Sequence, residues 1–526
     1  MPPTPVQREK LRSAEVIATL CLATDLGMGF PVEHGCHATL MTARFCEILE
    51  LDETVTRQAY YGSMLMYSGC TSEAALGKPI MGGHRIETLI PHLFGGYAER
   101  FAALIRTLPP TDQTPLGRTS ETARRLPRLL ASAREQQTAL CEIAEMLARR
   151  LGLPVEIQGL FAFLTDRWDG HGMLGRAAGA DIPQAVRIFV LVRDMAFQRL
   201  IGGEEHAIEM ASDRAGKAFD PSLAVAFVDH ADEIFAAADR DGSTWEAVLD
   251  AEPKPWLWLQ GDEVDVSLAA IGDFTDLTSP AFAGHSSGLS RLADRAGKIA
   301  GFGQAEVEDL RRAALVHDVG RVAVSPEVWE KSTPLSRDEY EQIRLHPYHT
   351  ERVLSQSSFF APLSNIARDH HERLDGSGYP RSVDAAALGP SARLLAAADT
   401  FRAMTEPRPH RSAATGPEAA RELARLADEG LLDHTMVTAV IRAADESVPD
   451  MERPARLTDR EAEVVGLLAR GLQTKQIATT LGISPKTADT HIQNAYRKMG
   501  VSTRASATLF AMEHGLVKSG ELPISD

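Results

Sequence analysis

Cysteine is scarce and unpatterned in this chain of 526 residues: Cys21, Cys36, Cys46, Cys70 and Cys141 all lie in the first third, without a CxxC pair. An odd number at irregular spacing argues against a disulfide frame and for free thiols in a reducing compartment. Long apolar runs are also lacking; none approaches the ~20 residues that cross a bilayer. The opening Met-Pro-Pro-Thr-Pro-Val-Gln-Arg has no signal-peptide core. A cytoplasmic protein without a membrane partner is expected. Positive charge is short as well, with 55 Lys and Arg against 72 Asp and Glu and a net charge of −17. That balance excludes a chain coated uniformly for nucleic acid, so a DNA contact has to be local.

What is present is helix-forming. The composition is 44% apolar and 24% charged, with aromatics at 6%, and Ala, Leu and Arg are abundant, which favours helix over sheet. The length implies about three domains. Residues from about 11 to 260 read as periodic apolar helices, the first from Leu11 to Leu22, and Asp262 to Phe282 reads as the entry to a second, related unit.

The relation is an internal repeat. His34-Gly35-Cys36-His37 aligns with His285-Ser286-Ser287-Gly288 at an offset of 251, and Met66-Tyr67-Ser68-Gly69 falls on His317-Asp318-Val319-Gly320 at the same offset. Arg167-Trp168-Asp169-Gly170-His171-Gly172 matches Arg373-Leu374-Asp375-Gly376-Ser377-Gly378 at an offset of 206. The difference, 251 − 206 = 45, places about 45 extra residues in the first copy, and the polar stretch Thr107 to Ser120 is expected among them.

Imidazole and carboxylate donors concentrate in the second copy: His285, His317, Asp318, His346, His370, His371 and Asp399. Each alone is an ordinary residue. Together they have the donor types of a hydrolytic di-metal site. Most are absent from the first copy, where Met66, Tyr67, Leu164, Thr165 and Arg193 stand in for His317, Asp318, His370, His371 and Asp399, while His34 persists. Asp399 follows the apolar run Leu394 to Ala398, where a lone buried carboxylate is costly without a partner. The first copy reads as the same fold without the chemistry: a scaffold, a dimer partner or a sensor.

Residues of about 263–445 resemble the HD-GYP family of metal-dependent phosphohydrolases. The motifs are His317-Asp318 with Gly320, and His370-His371-Glu372 with Asp375-Gly376-Ser377-Gly378-Tyr379-Pro380; Gly284-His285-Ser286, Leu345-His346-Pro347 and Ala398-Asp399 also fit. The resemblance implies an all-helical domain that binds iron- or manganese-type divalent ions and hydrolyses cyclic di-GMP or a related cyclic dinucleotide. It implies that His285, His317, His346, His370, His371 and Asp399 are terminal ligands and that Asp318 bridges two ions. It further implies that the ions activate a water for in-line attack on phosphorus, with the loop Gly376 to Pro380 at the substrate. Ala281 stands where the family often has a Glu and Arg321 where it commonly has a Lys. Two ions rather than three are therefore expected, with Arg321 beside Asp318 as the catalytic cation; arginine clamps a phosphate bidentately but does not easily lose its proton. A domain that binds a nucleotide or metal without turnover, as a sensor, is the alternative.

From Arg456 the character changes. Arg456–Arg504 holds eight Lys or Arg against four acids, the local positive surface that the global charge left room for. Thr458 with Glu461 reads as a capping box, Gly471 and Gly482 end short helices, and Ser484-Pro485 opens a third from Lys486 to Met499. This is a helix-turn-helix pattern. It resembles the LuxR-type DNA-binding domain over LTDREAEV and TKQIATTLGISPKTADTHIQNAYRKMGVSTRA, and that resemblance implies that Lys486, Thr487, His491 and Lys498 face the major groove or its phosphates.

The expected protein is all-α: a degenerate HD-like domain over 11–262, an HD-GYP-like domain over 263–445, a linker over 446–455 and a LuxR-type domain over 456–526. Its expected partners are operator DNA and a cyclic dinucleotide, its expected cofactors two divalent ions, and a homodimer is expected because helix-turn-helix modules often read paired half-sites.

Overall fold

A computed structural model describes residues 10–69, 92–107, 115–444, 454–514 and 516–517. Cys70, part of the Thr107–Ser120 stretch and all but the end of the 446–455 linker lie outside the described residues. The chain forms two compact units, Lys10–Glu263 and Val264 onward. No helix among the described residues is long and apolar enough to cross a membrane.

The first unit is built on Ser13–Met28 (α1), His34–Ile48 (α2), Glu53–Leu65 (α3), Pro115–Arg150 (α4) and Gln184–Arg214 (α5). Its strands among the described residues are a pair of three residues each, Lys10–Arg12 (β1) antiparallel to Trp258–Gln260 (β2), with Leu11 opposite Leu259. The helix expected from Leu11 thus starts at Ser13 and runs to Met28. Leu11 and Leu259 are both buried, and the cations of Lys10 and Arg12 lie 4.2 and 4.1 Å from the ring centroids of Trp258 and Trp256. That pairing joins residues almost 250 positions apart, and it overrides the local helical pattern.

The second unit opens with Asp262–Asp276 (α6) and continues through His285–Ala300 (α7), Gln304–Val316 (α8), His346–Leu354 (α9), Pro390–Thr405 (α10), Gly416–Asp428 (α11) and His434–Ala444 (α12). Leu289, Leu292, Ala293 and Ala296 recur at helical spacing on α7 and pack with Leu310 and Ala314 of α8, Leu394 and Leu395 of α10, Leu423 of α11 and Val440 of α12. Burying each such leucine stabilises the fold by about 2 kcal/mol, and the small alanines let the helices approach closely.

The repeat is visible in the backbone. α2 and α7 start at His34 and His285, and α3 and α8 run from Glu53 to Leu65 and from Gln304 to Val316, all 251 residues apart. α5 and α10 start at Gln184 and Pro390, 206 apart. The residue before each histidine is left-handed: Glu33 at φ 75° and Gly284 at φ 76°. Asp25 accepts the Gly35 amide at 3.0 Å as Asp276 accepts the Ser286 amide at 3.0 Å. A non-glycine residue in the left-handed region is sterically costly, so Glu33 marks a turn that the fold demands.

The C-terminal module comprises Asp459–Ala469 (α13), Thr474–Leu481 (α14), Pro485–Met499 (α15) and Arg504–Glu513 (α16). Thr458 and Glu461 form the capping box: Thr458 Oγ1 accepts the Glu461 amide at 3.3 Å and Glu461 Oε2 accepts the Thr458 amide at 2.8 Å. Ser484 caps α15 by accepting the Thr487 amide at 3.0 Å. Val464, Leu468, Ile477, Ala488 and Ile492 make its core.

Candidate functional site

The ends of four helical segments meet at the second unit's site. α8 delivers His317 at its C-terminal boundary and Asp318 just beyond it, α7 delivers His285 at its first position, α9 does the same for His346, and α10 carries Asp399 mid-helix. His370 and His371 follow the helix Ala361–Ala367. Among the described residues, the only groups of three or more His, Cys, Asp or Glu donors within 4.8 Å of one another lie here: His285, His317 and Asp399; His317, Asp318 and His370; His346, His370 and His371.

Asp318 stands between them. Its Oδ2 is 2.8 Å from His317 Nε2 and 3.7 Å from His285 Nε2. Its Oδ1 is 3.1 Å from His346 Nε2 and 3.5 Å from His370 Nε2. His285 Nε2 also lies 3.2 Å from Asp399 Oδ1. One carboxylate therefore addresses two donor groups, one oxygen to each.

The far sides of four of the imidazoles are fixed. His317 Nδ1 donates to the Ala314 carbonyl at 3.0 Å, His346 Nδ1 to Ile343 and His370 Nδ1 to Ala367, each at 2.6 Å, and His285 Nδ1 to Glu406 at 2.8 Å. With Nδ1 donating to a backbone carbonyl, His317 and His346 each turn an Nε2 lone pair inward, the arrangement in which outer partners orient metal-binding histidines. His346 Nε2 and His370 Nε2 face each other at 3.2 Å, a spacing at which both can address one cation. His317 Nε2 and Asp318 Oδ1 are buried without a hydrogen-bond partner. Buried polar atoms are normally satisfied, and a metal ion would satisfy this set. The donor chemistry fits hard to borderline divalent ions.

Protonation follows burial and charge. Burial lowers His346 to about 4 and holds His317 and His371 below the ordinary imidazole value, so all three are neutral bases. Burial opposes ionisation of Asp318 and Asp399, yet Arg321 and His317 for the first and His285 for the second hold them well below the carboxylate range. Burial also lowers His285, but Glu406 and Asp399 outweigh it and push it up to about 9.

Arg321 forms a close ion pair with Asp318 and stacks on Phe282 at 4.0 Å and Trp329 at 5.3 Å. Its Nε and Nη1 are buried and unpartnered, which leaves a guanidinium edge available to an oxyanion. Position 281 offers no carboxylate; instead Arg408 Nη1 donates to the Ala281 carbonyl at 2.6 Å and Arg408 Nη2 to Glu406 at 3.0 Å.

The loop at 376–380 divides. Asp375 accepts the Ser377 amide and hydroxyl at 3.0 and 2.7 Å, so Gly376 and Ser377 form an outer bend. Tyr379 turns inward, its ring 4.7 Å from that of His371, and Pro380 follows. A Cβ on Gly378 would meet Glu372 Cα at 2.4 Å, so only glycine fits. Glu372 braces the loop by accepting the Arg381 and Val383 amides at 2.8 and 3.2 Å. Asp166 does the same in the first unit, with the Arg176 and Ala177 amides.

Sequence reasoning missed Glu406 as a site residue. It lies 121 positions from His285 and outside every motif, and the only signal was its acidic character at the end of α10.

In the first unit the corresponding residues surround a guanidinium. Arg193 is buried, 4.7 Å from the Tyr67 ring centroid, and burial, aided by the Arg193 charge, pushes His34 down to about 3. Phe30 packs on His34 at 5.1 Å and on Phe197 at 5.1 Å.

In the C-terminal module, Lys486 and Thr487 are exposed on α15 and His491 is half-buried. Lys498 is exposed, and its Nζ donates to Glu461 at 2.6 Å and to the Arg456 carbonyl at 3.2 Å.

Residues 271–436 match the model of the HD domain, and residues 455–511 match that of bacterial regulatory proteins of the luxR family. The chain is 27% identical over 414 residues to the 3′3′-cGAMP-specific phosphodiesterase 3 of Vibrio cholerae, covering 76% of this chain and 88% of that protein. It is 36% identical over 165 residues to the cyclic di-GMP phosphodiesterase response regulator RpfG of Xanthomonas campestris, covering 30% and 43%. The crystal structure of the cyclic GMP-AMP phosphodiesterase V-cGAP3 of V. cholerae shares the fold, with a TM-score of 0.58 at 22% identity over 84% of this chain and 99% of that one. The chain joins an HD domain to a C-terminal domain of the luxR family.

Proposed function

We propose that the protein is a DNA-binding transcriptional regulator that carries a metal-dependent cyclic-dinucleotide phosphodiesterase, with 264–444 as the hydrolytic domain and 10–263 as its inactive copy. The observation that carries this reading is the placement of Asp318, one oxygen toward His285 and His317 and the other toward His346 and His370. Two divalent ions would be held there, His285, His317 and Asp399 on one side and His346, His370 and His371 on the other, with Asp318 shared. Iron or manganese is the fitting class. When bound, such ions supply Lewis-acid activation of water and neutralise phosphate charge.

The protein's own side chains bind and orient. Arg321, held between Phe282 and Trp329, presents two N–H groups to a phosphate oxygen, and Tyr379 lines the mouth beside His371. Buried Glu406 keeps His285 turned to the centre, and Glu372 keeps the loop closed around Tyr379. The relatives act on cyclic dinucleotides, 3′3′-cGAMP in one case and cyclic di-GMP in another by their names. The substrate proposed here is a 3′,5′-linked cyclic dinucleotide of that class. The DNA-reading surface is the exposed side of α15 at Lys486, Thr487 and His491, used in a cytoplasmic homodimer that reads paired half-sites.

The test is elemental analysis of the purified full chain together with hydrolysis of 3′3′-cGAMP and cyclic di-GMP, with His317→Ala and Asp318→Asn as controls. About two ions per chain, and turnover lost in both variants, are expected. Bound metal without hydrolysis of either substrate would replace the enzyme by a sensor.

A further inference from the structure

The segment Pro280–Gly284 lies between the metal centre and the luxR-type module. On one side it reaches the metal centre. Phe282 is buried under the guanidinium groups of Arg321 at 4.0 Å and Arg408 at 4.7 Å, which pair with Asp318 and Glu406 respectively. Gly284, left-handed at φ 76°, immediately precedes His285.

On the other side it touches the luxR-type module. Pro280 packs against the turn between α13 and α14, where a Cβ built on Gly471 would lie 2.9 Å from Pro280 Cβ. Val517, just beyond α16, packs against Gly284, where a built Cβ would lie 3.4 Å from Val517 Cβ. The tail carrying Val517 is itself pinned to the module. Leu516 donates its amide to the Ala511 carbonyl at 2.8 Å and crosses over Gly466 of α13.

Burial within the module fits a docked state. Every residue of α16 from Ala505 to Met512 is buried, although only Ala507 of them belongs to the module's own core cluster. A helix buried on all sides is covered from more than one direction. α15, by contrast, leaves Lys486, Thr487, Asp489, Thr490, Gln493 and Arg497 exposed. The helix that reads DNA is free while the module's opposite edge is engaged.

We propose that Pro280–Gly284 is a docking surface for the luxR-type module and that through it occupancy of the metal centre regulates DNA binding. This rests on the reading of that centre as a metal-dependent phosphodiesterase. An oxyanion or ion that draws on Arg321 and Asp318 alters the stack on Phe282 and the turn at Gly284, and both module contacts sit on that five-residue segment. Energetic coupling between two sites is reciprocal, so DNA must change affinity at the centre by the same factor as the centre changes affinity for DNA.

The experiment uses the full chain and a duplex selected by it from random DNA. DNA affinity is measured for the metal-loaded protein and after chelation, and Mn2+ affinity with and without the duplex. Wild type is expected to differ at least about fivefold, equally in both directions. Val517→Glu and Pro280→Glu, which lie outside the metal and DNA machinery, are expected to keep hydrolysis within about twofold and to lose the difference. Amide exchange at 505–512 in the unaltered protein supplies a second measurement, expected to be slow and to change on chelation.

Equal DNA affinity of loaded and stripped wild type overturns the inference while leaving the phosphodiesterase intact. So does full coupling in both folded variants, or exchange at 505–512 that is as fast as in an exposed helix. A chain that binds no metal overturns this inference and the proposed activity together.

Discussion

Glu406 accepts the Nδ1 proton of His285 at 2.8 Å, and both side chains are buried. The carboxylate also pairs with Arg402 and Arg408, so it is held in place before any ion arrives. Glu406→Gln keeps the shape but weakens the orientation of His285. We expect a roughly 10–100-fold loss of metal affinity, read as the Mn2+ dissociation constant, with the fold unchanged by circular dichroism. Affinity within twofold of wild type would remove Glu406 from the site.

Asp318 tests the shared-ligand geometry. Asp318→Asn leaves an amide that cannot offer a charged oxygen to both histidine groups. The expected result is a drop from about two ions to one or none per chain and loss of hydrolysis by at least ~1000-fold, whereas His371→Ala removes a donor from one group only. Two retained ions in Asp318→Asn would show that the groups load independently.

The two lysines at either end of α15 should separate. Lys486→Ala is expected to weaken DNA binding and flatten the slope of log affinity against log salt by about 1. Lys498→Ala removes the partner of the buried carboxylate Glu461 and should instead lower the module's thermal stability. A Lys498→Ala variant that flattens the salt slope to the same extent without any loss of stability would return Lys498 to the DNA face.

A pH effect is expected in the first unit. Burial outweighs Arg193 and raises Asp25 to about 7 from an ordinary 3.8. A carboxyl raised on folding binds its proton more tightly in the native state, so stability is fully present below about pH 4 and is lost as pH rises toward 7. Asp25→Asn keeps an acceptor for the Gly35 amide and removes that loss. The variant should gain roughly 2–4 kcal/mol relative to wild type between pH 4 and pH 8, seen as a melting-temperature difference that grows with pH. A difference independent of pH would refute the shift.

Much of this was legible in the residues themselves. Donor types are written in the sequence, so His285, His317, Asp318, His346, His370, His371 and Asp399 could be named, and the sister copy separated them from the framework. Helix caps are local, which is why Thr458, Glu461 and Ser484 were readable. What escaped depends on distant parts of the chain meeting. Glu406 is defined by a partner 121 residues away, β1 by a strand almost 250 residues on, and Lys498 by Glu461 across the module. The replacement of Asp399 by Arg193 could be read, but the packing of that guanidinium over Tyr67 could not.

The pairing of β1 with β2 carries a different lesson. Residues 10–12 and 258–260 bring the entry and the exit of the first unit side by side. A segment whose two ends meet can be copied, inserted or excised at one point on a host chain without pulling either core apart. The same closure allows a circularly permuted first unit, re-opened at an exposed loop and joined across 12 and 258.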